Sequence, residues 1–155
     1  YARLEKKWEG LSLKVYQDEV GYWTIGYGHL VKPSDPYHPY GPVMEITEAE
    51  ADQLLAADKA EAIRLVDQHV RVPLTQGQRE AMESIIFNVG PGSPGQRDGI
   101  VWLKSGRNST LLTKLNAGDY AGAAAEFGKW VYAGGHVSNG LVARRADERK
   151  TFETA

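Results

Sequence analysis

Apolar residues near the start of the chain fall at Leu4, Trp8 and Leu11, spacings of four and three that mark one face of a helix. Gly10 is a natural stop, which leaves Glu9 in the last turn, at the negative end of the helix dipole. From Leu13 to Leu30 the pattern changes. Val15, Tyr16, Val20, Tyr22, Trp23, Thr24, Ile25 and Tyr27 favour strands and are broken by Gly21, Gly26 and Gly28, so a small antiparallel sheet is expected. Four prolines between Val31 and Met44 (Pro33, Pro36, Pro39, Pro42) make that stretch a surface loop.

Helical periodicity then takes over. Thr47 with Glu50 forms a capping box, and Ala51, Leu54, Leu55, Ala62, Leu65 and Val66 predict a long amphipathic helix over about 48–68. Thr75 with Gln78 repeats the cap. Ala81, Met82, Ile85, Ile86 and Val89 then predict a more buried helix, closed by Gly90. The stretch from Pro91 to Arg107, rich in glycine, is an irregular insertion. Asn108 or Ser109 caps a short helix, Asp119 starts another to about Val131, and Gly134 and Gly135 mark a turn. A last helix over about 141–152 carries Arg144, Arg145, Arg149 and Lys150 among its polar positions, with Leu141, Val142 and Phe152 toward the core. The total, five to seven helices and one small sheet, is α+β and mainly α. One domain of two lobes is expected: a lobe with the sheet at about 11–60, a helical lobe at about 70–155, and the long helix between them.

Composition narrows the chemistry. With 42% hydrophobic and 25% charged residues among 155, the chain is ordinary for a globular domain. A net charge of −2 gives no long-range attraction to nucleic acid or an anionic membrane, and no apolar run is long enough to insert in a bilayer. Cysteine is absent, which removes disulfides, thiolate nucleophiles and cysteine-type zinc sites. A start at Tyr1 rather than Met, already helical by Arg3, is expected of a domain cut from a longer chain or of a processed product.

Two carboxylates in different elements, Glu9 and Asp18, fit glycoside hydrolysis, which needs a proton donor on one side of a sugar ring and an anion or activated water on the other. Burial near Trp8 and the helix dipole both favour the neutral form of Glu9, whereas Asp18, beside a turn, stays wet and ionised. The Thr24 hydroxyl can help hold a water. By residue type alone, a solvated glutamate, a turn-forming aspartate and a strand threonine explain the trio as well.

The run Glu9-Gly10, Asp18, then Thr24-Ile25-Gly26-Tyr27-Gly28-His29-Leu30 resembles the phage-type lysozymes and endolysins of glycoside hydrolase family 24. The resemblance continues through Pro73-Leu74-Thr75, Phe87-Asn88-Val89-Gly90, Ser109-Thr110-Leu111-Leu112, Leu115 to Tyr120, and Gly140-Leu141-Val142 with Arg144 and Arg145. It implies a two-lobed, T4-like lysozyme fold and cleavage of the β-1,4 bond between N-acetylmuramic acid and N-acetylglucosamine in peptidoglycan, without a cofactor or metal. It further implies Glu9 as general acid, Asp18 as second carboxylate and Thr24 as its partner in holding water, with an inverting course. Leu30 and Phe87 match positions that line the cleft, Arg144 the arginine that pairs with the catalytic glutamate, and His29 a structural contact behind the sheet. Phe87 fits the core at least as well, as does Trp130; Trp23 and Trp102 are further aromatics able to stack on sugars.

The proline-rich loop and the 91–107 insertion depart from the family's plain form, and Trp102 and Arg97 are expected to border the substrate groove. The expected partner is the peptidoglycan glycan strand, with the protein a monomer acting in the periplasm or on the target's cell wall after synthesis in the cytoplasm of an infected host or a secreting bacterium. Two origins fit: a phage endolysin, or the lysozyme domain of a secreted antibacterial effector, which would have an immunity or inhibitor protein. Rival functions are a lytic transglycosylase, a chitin-type glycosidase, or a peptidoglycan-binding module without catalysis; the last has no need for all of Glu9, Asp18 and Thr24.

Overall fold

The computed structural model describes residues 2–154, which fall into two compact units, 2–60 and 61–154. In the first, α1 (Arg3–Glu9) is followed by β1 (Ser12–Gln17), β2 (Trp23–Gly26) and β3 (His29–Leu30), an antiparallel sheet in the order β1-β2-β3. The register sets Tyr16 opposite Thr24 and Thr24 opposite Leu30, so these three side chains share one face. Ile25 opposite His29 occupies the other face, where both are buried. Residues 31–47 form the expected loop, which returns to β1 through Val15 N–H to Met44 O and Ile46 N–H to Leu13 O.

The helix α2 (Glu48–His69) begins at the Thr47–Glu50 capping box, formed in both directions at 3.1 Å. Its first half belongs to the sheet-bearing unit and holds α1 there by two ion pairs. Lys59 reaches Glu5 at 3.2 Å with both side chains buried, and Lys6 reaches Asp52 at 3.0 Å on the surface. The buried pair sets the position of α1, because a lone charge there would lack both water and a counter-charge.

The second unit contains α3 (Gln76–Val89), α4 (Thr110–Asn116), α5 (Tyr120–Glu126) with a 3-10 turn at Phe127–Lys129, a hairpin of β4 (Tyr132–Ala133) and β5 (His136–Val137), and α6 (Asn139–Glu153). Thr75 and Gln78 close a capping box on α3, whereas Ser109, Asp119 and Ser138 cap α4, α5 and α6. Ala81, Met82, Ile85 and Ile86 of α3 join Ile100, Leu111, Leu115, Phe127 and Phe152 in one core. Asn116 ties the end of α2 to this unit, donating to His69 O and accepting from Arg71 N–H.

Three expectations are corrected here. The glycine turn at Gly134 and Gly135 joins two short strands, so there is a second sheet, too short for a period-two pattern to register. The helix after Asp119 ends well before Val131, passing into the 3-10 turn at Phe127. On α6, Val142 is 44% exposed, and Arg149 and Lys150 stay exposed, while Arg144 and Arg145 are buried, so these two arginines, not Val142, face inward. They do so because Glu148, itself fully buried, accepts from Ser84 Oγ at 2.5 Å, from Arg144 Nε at 3.3 Å and from Arg145. Arg145 also donates to Trp130 O at 2.8 Å and to Asn88. Compensated in this way, buried charge is tolerated, and the network joins α3 to α6.

The 91–107 insertion is tightly tied. Ile100 N–H bonds Gly90 O, Gly95 N–H bonds Lys104 O, and Leu103 N–H bonds Arg107 O. Gly92 and Gly99 cross so closely that a Cβ on either would overlap the backbone of the other.

Candidate active site

Glu9 is the last residue of α1, half-buried, and lines a hollow of about 300 Å³ with Gly10, Leu11, Ser12 and Tyr16. Its carboxyl group lies against the turn between β2 and β3. A Cβ placed on Gly28 would sit 2.9 Å from Glu9 Cδ and nearer still to Oε1. Gly28 also has φ +70°, so only glycine suits both the backbone and the space.

Asp18 starts the loop between β1 and β2. Its Oδ1 accepts from Val20 N–H at 2.9 Å and Tyr22 N–H at 2.8 Å, which closes the turn. Those bonds fix the carboxylate's direction and leave Oδ2 for other partners. Thr24, buried on β2, donates its hydroxyl to Tyr22 O at 3.1 Å, so the lone pairs of Oγ1 are what it can offer a water.

Tyr16, absent from the residues singled out by motif, stands directly opposite Thr24 on the same face. Burial pushes its phenol above the ordinary range, and the negative charges of Glu9 and then Asp18 push it further. Tyr16 thus lies within electrostatic reach of both carboxylates. Leu30, 50% exposed, ends the row on β3.

His29 lies on the opposite face of the sheet. Its Nδ1 meets Asp58 Oδ2 at 2.7 Å and its Nε2 meets Asp35 Oδ2 at 2.8 Å, joining β3 to α2 and to the proline-rich loop. The bond with Asp58 is the largest cause raising its pKa. Burial opposes this, and Asp35 adds to the rise. A carboxylate on each ring nitrogen favours the protonated imidazole and occupies both nitrogens, which suits a structural contact rather than proton abstraction.

In the second unit, Phe87 is half-buried and packs on the core cluster. Arg144 is held by Glu148 within the buried network. A hollow of about 700 Å³ is lined by Trp130, Tyr132, Leu103, Asn88, Lys129 and Asp98, among others. Trp130 therefore packs on the core and also borders open space. From the insertion, Asp98 and Leu103 line this hollow, while Trp102 lines a neighbouring one of about 560 Å³ and meets the edge of His69. Arg97 lines neither. Trp23, on the sheet, packs edge-on against His38. Among the described residues no cluster of His, Cys, Asp or Glu able to hold a metal occurs, and no helix is long and apolar enough to cross a membrane.

A sheet-bearing unit with a carboxylate at a helix end, joined through one long helix to a helical unit, has the make-up of a lysozyme-like glycoside hydrolase. Comparison with known proteins makes this specific. The family model for phage lysozyme matches residues 6–148. An endolysin of Acyrthosiphon pisum secondary endosymbiont phage 1 is 39% identical, covering 98% of this chain and 94% of its own. A SAR-endolysin of Escherichia phage Mu is 36% identical over 90% of this chain and 71% of its own. The solved structure of an endolysin from Escherichia coli O157:H7 phage FAHEc1 superposes with a TM-score of 0.75 at 30% identity, covering 98% of this chain and 89% of that one. The chain belongs to the phage lysozyme family. It is a lysozyme, a glycoside hydrolase acting on cell-wall peptidoglycan as a muramidase.

Proposed function

We propose that Glu9, Asp18 and Thr24 carry the cleavage of the β-1,4 bond after N-acetylmuramic acid, with inversion at the anomeric carbon. Glu9 gives its proton to the glycosidic oxygen as the bond breaks, and the leaving sugar departs with a hydroxyl. A water attacks the anomeric carbon from the opposite face. It donates one hydrogen bond to Thr24 Oγ1 and gives a proton to Asp18 Oδ2, the oxygen left over by the turn. The observation that supports this reading is the setting of Tyr16, which is opposite Thr24 and within reach of the charges of both Glu9 and Asp18. Leu30 offers apolar surface to the glycan at the end of the same row, whereas Phe87 serves the core.

The decisive experiment compares Glu9→Gln and Asp18→Asn with the parent on purified peptidoglycan, following new reducing ends and the first-formed anomer. Glu9→Gln is expected to lose turnover entirely while its thermal midpoint stays at or above the parent's, because charge frustration in active sites often costs stability. Asp18→Asn keeps an oxygen for the Val20 and Tyr22 N–H groups, so it folds normally and loses activity. Parental turnover by Glu9→Gln, or a β anomer formed first by the wild type, refutes the scheme. The endolysin and SAR-endolysin names of its relatives support a phage lysis enzyme acting at the cell wall over a domain of an antibacterial effector.

A further inference from the structure

The row of side chains on the sheet face contains one group to which neither the motif nor the scheme above assigns a task. Tyr16 is 39% exposed, and among the described residues its hydroxyl makes no hydrogen bond. It walls the hollow that holds Glu9. It is registered opposite Thr24, which is in turn opposite Leu30, so Tyr16, Thr24 and Leu30 make a strip about 10 Å wide at ordinary strand spacing. Asp18, two residues further along, has one carboxylate oxygen committed to its turn. A phenol with an uncommitted O–H therefore stands in the wall of the hollow beside the proton donor and in line with the residue that holds water.

We propose that Tyr16 is a substrate-binding residue that fixes the sugar ring held between the carboxylates, donating its O–H to an oxygen substituent of that ring and supporting the ring on its aromatic face. The proposal rests on the assignment of Glu9 and Asp18. Three features favour it over a structural role. The hydroxyl has no intramolecular bond to maintain. The side chain is too exposed to be a core residue. Burial, and then the neighbouring carboxyl groups of Glu9 and Asp18, raise the pKa of the phenol, so it keeps its proton and remains a donor. Aromatic rings also offer the apolar surface that sugar faces pack against.

Tyr16→Phe removes only the hydroxyl. On soluble, uncrosslinked peptidoglycan glycan strands, its kcat/KM is expected to fall roughly fivefold to tenfold, the size of one neutral hydrogen bond, with an unchanged thermal midpoint. Binding is measured separately in the Glu9→Gln background, where the strands stay uncut. Adding Tyr16→Phe there is expected to weaken their affinity by a similar factor, which a purely structural tyrosine would not do. A kcat/KM within twofold of the parent, or an affinity unchanged in the Glu9→Gln background, overturns the assignment of Tyr16. Full activity in Glu9→Gln alone instead overturns the reading of the acid, so the two failures are distinct.

Discussion

Gly28→Ala tests how the acid is positioned. A new Cβ would lie 2.9 Å from Glu9 Cδ, whereas carbon atoms settle at about 3.5 Å or more, so the carboxyl group must retreat by roughly 0.6 Å at least. Displacements near 1 Å cost on the order of 100-fold in rate, so turnover should drop about 10- to 100-fold. The substitution also places alanine at φ +70°, a left-handed conformation that costs about 1–2 kcal/mol, or roughly 2–8 °C of thermal midpoint for a chain of this size. Gly26→Ala separates the two effects. It has nearly the same angle, φ +69°, but its Cβ would meet nothing nearer than 3.6 Å, at Ala51. Both variants should lose similar stability, and Gly28→Ala alone should lose most of its activity. Initial rates of peptidoglycan solubilisation, measured well below both midpoints, give the answer. Parental turnover by Gly28→Ala, or equal activity losses in the two, would refute the claim that the turn backbone positions Glu9.

The remaining predictions concern stability. His29 has a raised pKa in the folded protein, so its contribution is complete below the unfolded value of about 6.5 and is lost as pH rises through the folded value. For Asp35, burial pushes the pKa up, but His29 and the Lys32 N–H outweigh it, so its contribution holds above the unfolded value of about 3.9 and fades as pH falls through its lowered one. Urea midpoints of His29→Gln and the parent should therefore differ most between about pH 4 and 6.5 and converge in alkaline buffer; a gap that widens with pH would contradict the paired cation. Glu148→Gln removes from the buried network the carboxylate charge that Arg144 and Arg145 both pair with, and should cost about 3–5 kcal/mol in urea unfolding. A cost under about 1 kcal/mol would mean the network is not what joins α3 to α6.

Much of this was legible from short stretches of sequence. The caps at Thr47 and Thr75 pair with Glu50 and Gln78 three residues on, and Gly10 and Gly90 stop their helices through bonds to Lys6 O and Ile86 O. Such contacts close within one turn of chain, so residue type and spacing are enough to predict them. The motif likewise singled out Glu9, Asp18 and Thr24, but not Tyr16, whose place opposite Thr24 depends on a register that shifts between Ser12 and Tyr16. Lys59 reads as an ordinary exposed helix position until Glu5, distant in sequence, meets it in the interior.

By itself, then, the sequence determined the caps at Thr47 and Thr75 and the glycine stops at Gly10 and Gly90, the residues of the first sheet, and which carboxylates were worth watching, but not where the helix after Asp119 ends. Tertiary structure alone decided that the inward face of α6 is charged, that Gly28 stands against Glu9, and that His29 is held between two aspartates. Those outcomes depend on groups brought together from distant positions. The cost of burying a charge is set by partners that local spacing does not specify.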